Sequence, residues 1–314
     1  MPVPVNVDNF IAAETARMLD TFVASAGGLD RWVHFRTPTP VDQQPVIRMN
    51  RDTLYSIAVV DLAAGATVTL PDAGDRYLSA MVVNEQHYIN EVLHGAGDHE
   101  LRQEDHGSRF VAVAARVFLD PEDPADVAAV NALQDRFAIT AGSDGPYEHP
   151  EYDAAGLDAT RDALLALGKG LGDATRTFGR AADVDPVRHL IGTAVGWGGL
   201  PEREAFYAID SEARPVGAYT LTFRDVPVDA FWSVSIYNRD GYFEPNPYDS
   251  FSANSVTATP EPDGSVVLHL APEPGDAPNH LYVMDGWNYT VRLYRPHPTV
   301  LDGTWAPPTP QPAT

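Results

Sequence analysis

The sequence contains no cysteine, and Lys169 is its only lysine. Without cysteine the chain can form no disulfide, no thiolate zinc site, no iron–sulfur cluster and no cysteine nucleophile. Any metal site or catalysis must therefore use histidine, carboxylate, arginine or hydroxyl groups.

Positive charge is also scarce. The 314 residues include 21 basic and 44 acidic side chains, for a net charge of −23 at pH 7. Proteins bind phosphate backbones mainly through Lys and Arg, so we expect no nucleic-acid partner. No apolar run approaches the ~18 residues of a membrane span, and the amino terminus lacks the basic and apolar regions of a signal peptide. The sequence thus predicts an acidic, soluble, cytoplasmic protein with no membrane partner.

Several motifs of large enzyme classes are missing. The chain has no G-x-S-x-G elbow, no G-x-x-x-x-G-K-[ST] loop, no G-x-G-x-x-G after a strand and no H-E-x-x-H. These absences disfavour a standard α/β-hydrolase, a P-loop enzyme, a dinucleotide-binding enzyme and a zinc protease of that type. We therefore expect no organic cofactor.

The first two thirds of the chain change from an extended to a helical pattern. Near-helical spacing of apolar residues predicts a helix from Asn9 to Phe22, ended by Gly27-Gly28. Segments rich in Val, Tyr, Thr and Phe then predict antiparallel strands at Thr53–Leu62, Thr67–Leu70, Tyr77–Val83 and Phe110–Leu119. Helical register returns at Pro124–Phe137, Leu157–Leu171 and Pro186–Val195.

The last third is again extended. The predicted strands are Tyr219–Phe223, Ala230–Tyr237, Ser255–Thr259, Val266–Leu270 and Trp287–Tyr294, with Asp263-Gly264 as a hairpin turn and an extended Pro-rich tail from Trp305. The pattern predicts a mainly β fold with helical insertions (α+β), built of two β-sandwich or jelly-roll-like modules joined by a helical segment. The expected divisions are an amino-terminal helix (1–35), a first module (36–122), a helical connector (123–200) and a second module (201–314).

A polar stretch from Asn84 to His106 holds four of the ten histidines. If it is extended, Glu85, His87 and Glu91 share one face, and if it is helical, His87, Glu91 and His94 align. Glu85 and His87 are then candidate catalytic groups that exchange protons. His87, Glu91 and His94 are alternatively candidate ligands of a transition metal, while a solvated polar loop is the third interpretation.

Two further groups are candidate substrate-binding residues. Arg51 and Asp52, followed by Tyr55, could hold a substrate carboxylate, or they could form a turn.

The second group contains Trp232, Tyr237, Asn238 and Arg292. Strand alternation places Trp232, Val234 and Ile236 on one face and Ser233, Ser235 and Tyr237 on the other. One face could line a pocket for a small organic ligand, or Trp232 and Tyr237 could be ordinary core.

Several short phrases follow one another in a characteristic order. The amino-terminal phrases are Met49-Asn50-Arg51-Asp52-Thr53-Leu54-Tyr55-Ser56, Val59-Val60-Asp61-Leu62, Leu70-Pro71-Asp72 and Arg76-Tyr77. The carboxy-terminal phrases are Pro227, Phe231-Trp232-Ser233-Val234, Tyr237-Asn238, Asp240-Gly241-Tyr242, Asn246-Pro247, Asp263-Gly264-Ser265, Asn288-Tyr289, Arg292-Leu293-Tyr294 and Gly303-Thr304-Trp305. Their order resembles a pair of bacterial domains of unknown function, families 1254 and 1214. The resemblance implies sandwich or jelly-roll-like modules joined by helices, in proteins that associate.

Three functions are compatible with these features. The first is binding of, or action on, a small organic molecule in a pocket between the two modules, as a hydrolase or lyase if catalytic. The second is a non-catalytic homo-oligomer with a structural or interaction role. The third is a metal-dependent enzyme that uses the His-rich stretch 85–106.

Overall fold

The structure is a computed structural model that describes residues 1–44, 47–142 and 145–313. It confirms a mainly β fold with helical insertions. The chain forms two compact units, of which the first contains Met1–Arg36 and Thr53–Pro201 and the second contains Thr37–Asp52 and Glu202–Thr314. The chain therefore crosses between the units three times.

The first unit is a β-sandwich. Its strands are β1 (Val33–His34), β2 (Thr53–Asp61), β3 (Ala66–Leu70), β4 (Leu78–Asn84), β5 (Ile89–Leu93), β6 (Gly97–Leu101), β7 (Phe110–Phe118) and β8 (Ala138–Ala141). They form a five-stranded sheet in the order β1-β2-β7-β4-β5 and a three-stranded sheet in the order β6-β3-β8. Alternate residues of both sheets, such as Val60, Val68 and Val113, enclose one apolar core because strand side chains alternate between faces.

The helices of residues 1–201 belong to this same unit. They are α1 (Phe10–Ala26), α2 (Gln103–His106), α3 (Pro124–Gln134), α4 (Ala154–Leu167) and α5 (Pro186–Gly196). Gly27 ends α1 in the left-handed conformation with φ of 73°. The apolar faces of α1, α4 and α5 share a second small core, so these helices are packed layers of the unit and not a free connector.

The second unit is also a sandwich. It contains β9 (Ala205–Arg214), β10 (Tyr219–Phe223), β11 (Trp232–Tyr237), β12 (Ser252–Asn254), β13 (Val266–Ala271), β14 (His280–Tyr282), β15 (Trp287–Tyr294), α6 (Pro298–Leu301) and β16 (Gln311–Pro312). Two four-stranded sheets, β14-β13-β10-β16 and β12-β11-β15-β9, enclose a core that includes Leu221, Val234, Leu268 and Val291.

Most predicted elements are confirmed to within a few residues, and Tyr219–Phe223 and Trp287–Tyr294 match at both ends. The predicted strand Ser255–Thr259 is wrong, because those residues follow β12 as a turn whose amides are bonded to Asn254. The ten-residue strand β9 was not predicted. The Pro-rich tail is extended, as expected, and Gln311 pairs with Thr220 of β10.

Within residues 1–44, 47–142 and 145–313, no helix combines the length and the apolar character that a membrane span requires.

Candidate functional site

One face of the sheet β12-β11-β15-β9 in the second unit is polar and yet buried. Trp232, Val234 and Ile236 point into the sandwich core, as the alternation predicted. The opposite face carries Ser233, Ser235 and Tyr237 of β11 with Asn288, Thr290 and Arg292 of β15, each at most 3% exposed. Buried polar groups are costly unless they are hydrogen-bonded, so their partners decide what this face can do.

Most of those partners belong to segment 37–52. The Arg292 guanidinium donates through Nη1 to Ser235 Oγ at 2.9 Å and through Nη2 to the Arg48 carbonyl and the Tyr237 hydroxyl, both at 2.8 Å. Tyr237 in turn donates to the Met49 carbonyl at 2.7 Å. Burial works against the charge of Arg292, but Tyr237, Tyr294 and Asp52 outweigh it and raise the pKa of this guanidinium.

Arg48 is a member of this face that the sequence did not reveal. Its guanidinium donates to Thr290 Oγ1 at 2.9 Å and to Ser211 Oγ at 3.0 Å, and it lies 5.5 Å from the centre of the Tyr237 ring. Burial, together with the charge of Arg292, lowers its pKa. Segment 37–52 is held further by Gln44, which exchanges two hydrogen bonds with the backbone of Phe243.

Asp52 is fully buried at the other end of the same face. Ser233 Oγ donates to its Oδ2 at 2.5 Å, whereas Oδ1 has no hydrogen-bond partner in the described part of the chain. Burial raises the pKa of the Asp52 carboxyl, and Arg292, Ser233 and Arg51 oppose that shift. The face therefore contains one incompletely satisfied acid.

Arg51 and Asp52 have different partners. Arg51 donates to the Thr39 carbonyl at 3.0 Å, and its guanidinium lies 5.2 Å from the centre of the Phe251 ring. The carboxylate of Asp52 is directed to Ser233 instead. Arg51 still lowers the pKa of the Asp52 carboxyl through its charge, and the carboxylate clamp stays a prediction.

Asn238 and Tyr55 lie in different surroundings. The Asn238 side chain accepts from the amides of Asp240 and Tyr242, both at 3.1 Å, and thereby closes the turn after β11. Tyr55 belongs to β2 of the first unit, where the Arg116 guanidinium lies 5.2 Å from the centre of its ring.

His87 is a fully buried residue of the first unit, in the turn between β4 and β5. The Gly198 amide donates to Nε2 at 2.9 Å, so Nδ1 carries the proton and donates to Thr193 Oγ1 at 2.8 Å. The Thr193 hydroxyl donates onward to the His189 carbonyl at 2.9 Å. Burial, with His189 nearby, lowers the pKa of His87 well below its ordinary value, and neither ring nitrogen is open to a substrate.

Aromatic rings stack on His87. Trp197 and His189 lie at centroid distances of 5.2 and 5.4 Å from it, and Tyr88 stacks on His189 at 4.6 Å. This four-ring stack gives His87 a packing role that needs no ligand.

The rest of the polar stretch is divided among separate structures. The backbone of His87 has φ of 59°, which interrupts both the strand and the helix that would have aligned it with Glu91. Glu85 is half-buried, its carboxylate accepts from the Phe110 amide at 3.4 Å, and burial raises its pKa. Glu91 is exposed, 3.8 Å from His106 Nε2. Within residues 1–44, 47–142 and 145–313 no group of three or more His, Asp or Glu side chains could hold a metal ion.

Trp232 lines a cleft of about 450 Å³ in the second unit. Its indole stacks on Phe223 at 4.1 Å, and its amide donates to Ser255 Oγ at 3.2 Å. Val226, Val228 and Val266 complete most of the apolar wall. The residues that line the cleft come from β10, β11, β13 and the loops beside them. Because they are scattered along the chain, no continuous sequence motif predicted the cleft.

The structure thus distributes the predicted site residues over three places. Asp52, Tyr237 and Arg292 share the buried polar face of the second unit, and Trp232 lies on the other face of the same strand. Glu85, His87 and Tyr55 belong to the first unit.

Two family models match the chain. One, described as a protein of unknown function (DUF1254), covers residues 29–100, and the other, described as a protein of unknown function (DUF1214), covers residues 207–298. These matches confirm the resemblance drawn from the sequence phrases. The comparison with curated proteins finds no match.

Two crystal structures share the fold. The VPA0106 protein from Vibrio parahaemolyticus superposes with a TM-score of 0.74 at 18% identity, over 99% of this chain and 100% of that one. A putative uncharacterized protein from Burkholderia cenocepacia gives a TM-score of 0.53 at 15% identity, over 96% of this chain and 85% of that one. At these identities the likeness supports the fold alone.

Proposed function

The chain belongs to the proteins that pair a DUF1254 domain with a DUF1214 domain, and from that premise we propose that its second unit binds a small, largely apolar organic molecule in the cleft beside Trp232. The observation that carries the proposal is the cleft itself. Small-molecule sites are concave, mainly apolar and roughly 300–1,000 Å³ in volume, with a few polar groups. At about 450 Å³ the cleft lies within that range of size, and Trp232, Phe223 and four valines line it beside Asp225, Ser255 and other polar surface.

The size of the cleft sets the expected affinity. A ligand of about ten heavy atoms that buries on the order of 200 Å² of apolar surface gains roughly 5 kcal/mol. Losses of translational and rotational freedom offset part of this gain. We therefore expect dissociation constants between about 0.1 and 10 mM for simple ligands.

The polar face is a weaker candidate for the same role. Its arginines already donate to hydroxyl and carbonyl groups of the second unit, and segment 37–52 supplies several of those acceptors. A ligand at this face would have to replace those hydrogen bonds, whereas the cleft needs no such exchange. Binding, and not acid–base catalysis by His87, is the role that the side-chain environments support.

The proposal can be tested with N-phenyl-1-naphthylamine, a neutral probe that fluoresces in apolar sites. We expect saturable binding at one site per chain. Ala258→Trp, which fills the cleft, should abolish it, whereas Ala277→Trp, at an exposed loop position outside the cleft, should leave it unchanged.

Both variants should keep the wild-type circular dichroism spectrum and melting temperature within a few degrees. Probe binding that is absent in the wild type, or equal in the two variants, would contradict the proposal.

A further inference from the structure

We propose that the cleft selects ligands with an apolar body and a protonated amine at one end, through the carboxylate of Asp225. This inference rests on the proposed function of the cleft. Among the described residues that line it, Asp225 alone carries a charge. A single carboxylate beside an apolar wall is the pattern that recognises an organic ammonium, because the wall takes the hydrocarbon and the acid takes the cation.

The Asp225 side chain is available for such a contact. It is exposed, and no ion pair or hydrogen bond joins it to another described residue. The adjacent guanidinium of Arg224 forms its ion pair with Asp263 and attracts Asp225 only through space. A ligand cation would therefore meet an acid with no direct ion pair, whose charge Arg224 offsets in part.

The backbone at Asp225 restricts which substitutions can test its charge. Its φ is 45°, in the left-handed region that most residues with a side chain avoid. Asp and Asn tolerate this region best among residues with a side chain, so an Asp225→Asn change removes the charge and keeps the turn.

The interior of the cleft supports the same orientation. Trp232 is 4% exposed and stacks on Phe223, so the deep wall is apolar and its indole is already packed. Ser255 carries the one hydroxyl among the described lining residues, and that hydroxyl accepts from the Trp232 amide. The apolar body therefore lies inward, and the amine lies at the rim beside Asp225.

The test is displacement of N-phenyl-1-naphthylamine by three ligands of nearly equal size: 2-phenylethylamine, 2-phenylethanol and phenylacetate. In the wild type the amine should displace the probe at about one fifth of the concentration that the alcohol requires, and phenylacetate should be weakest. Asp225→Asn should bring the amine and the alcohol within about a factor of two of each other.

The matched control is Asp249→Asn. Asp249 is also exposed, also belongs to the second unit and also has a positive φ, of 49°, but it does not line the cleft. The Asp249→Asn variant should retain the full preference for the amine. This control separates the effect of the Asp225 carboxylate from the effect of the whole chain, whose net charge is −23. Raising salt from ~20 to ~500 mM should weaken the preference in the wild type without any substitution.

The possible outcomes separate the selection of amines by Asp225 from the binding of ligands in the cleft. Saturable probe binding with equal displacement by amine and alcohol, or a preference that survives Asp225→Asn, would overturn the amine inference and leave the cleft function standing. Absence of probe binding would overturn both.

Discussion

The surroundings of His87 in the first unit and of Asp52 in the second invite comparison, because both side chains are fully buried and titratable. Each nitrogen of His87 has a hydrogen-bond partner, and the ring is packed in an aromatic stack. Asp52 has one short hydrogen bond to Ser233 and one oxygen without a partner in the described chain. Burial alone therefore says little about the role of a residue. The two residues differ in hydrogen bonding, which is complete for the ring of His87 and incomplete for the carboxyl of Asp52.

Burial shifts the two pKa values in opposite directions. It lowers that of His87 and raises that of Asp52, because it disfavours the charged form of each. The native state therefore disfavours the charged form of each side chain relative to the unfolded chain. The two residues should change stability with pH in opposite senses, and that contrast can be measured.

The largest effect should come from Arg292, the cation that faces Asp52. Arg292→Met removes the donor to Ser235, Tyr237 and the Arg48 carbonyl, and it removes the largest favourable charge acting on Asp52. We expect a loss of about 4 kcal/mol in the free energy of unfolding, measured by urea denaturation at pH 7. Arg239→Met is the control, because its ion pair with Asp285 is exposed and should be worth less than about 1 kcal/mol. Equal losses in the two variants would mean that the polar face does not hold segment 37–52.

A smaller loss in the free energy of unfolding is expected when His87 is replaced. His87→Gln loses the ring stack and should lower the free energy of unfolding by about 2 kcal/mol at pH 7.5. Because the native pKa is depressed, the wild type loses stability as pH falls below about 6.5, by at most about 1.4 kcal/mol per pH unit, and the glutamine variant escapes this loss. The gap between the two proteins should therefore narrow from pH 7.5 to pH 5.5. A gap that stays constant would show that His87 is not held neutral.

The smallest effect is expected at Asp52. A raised native pKa means that the stability contributed by this carboxyl is fully present below about pH 3.9 and is lost as pH rises through the native value. Asp52→Asn keeps an acceptor for Ser233 and removes this loss, so the variant should gain on the wild type, by about 1 kcal/mol, between pH 4 and pH 7. Thermal unfolding monitored by circular dichroism at each pH measures the difference. If the variant instead loses stability relative to the wild type as pH rises, the pH dependence is opposite to the expected one. That result would indicate that Arg292 keeps Asp52 ionised.

Local patterns were enough to predict much of the fold. The alternation of Trp232, Val234 and Ile236 with Ser233, Ser235 and Tyr237 placed each side chain on the correct face of β11, because the strand period is fixed at two. The glycine pair at Gly27 ended α1 for an equally local reason. The strand β9 escaped prediction because most of its residues are half-buried or exposed, which gives no clear alternation.

The candidate site was predictable only in part. Asp52, Tyr237 and Arg292 were selected as polar residues near strands, but neither Arg48 nor Asp225 was, since an arginine or a turn aspartate in isolation has no distinguishing pattern. The predicted alignment of His87 with Glu91 is not formed, because the positive φ of His87 interrupts the regular backbone between them. Nothing in the neighbouring sequence of His87 indicates Thr193 and Gly198, which lie more than 100 positions away.

The sequence by itself determined the chemical inventory, the mainly β architecture and the domain pair, because composition, side-chain alternation and characteristic phrases are properties of the chain alone. Only the tertiary structure decided that segment 37–52 lies with the second unit, that His87 is a packed neutral ring and that Trp232 and Asp225 share a cleft. The physical reason is that hydrogen bonding and burial depend on residues distant in sequence, whose approach local periodicity does not encode.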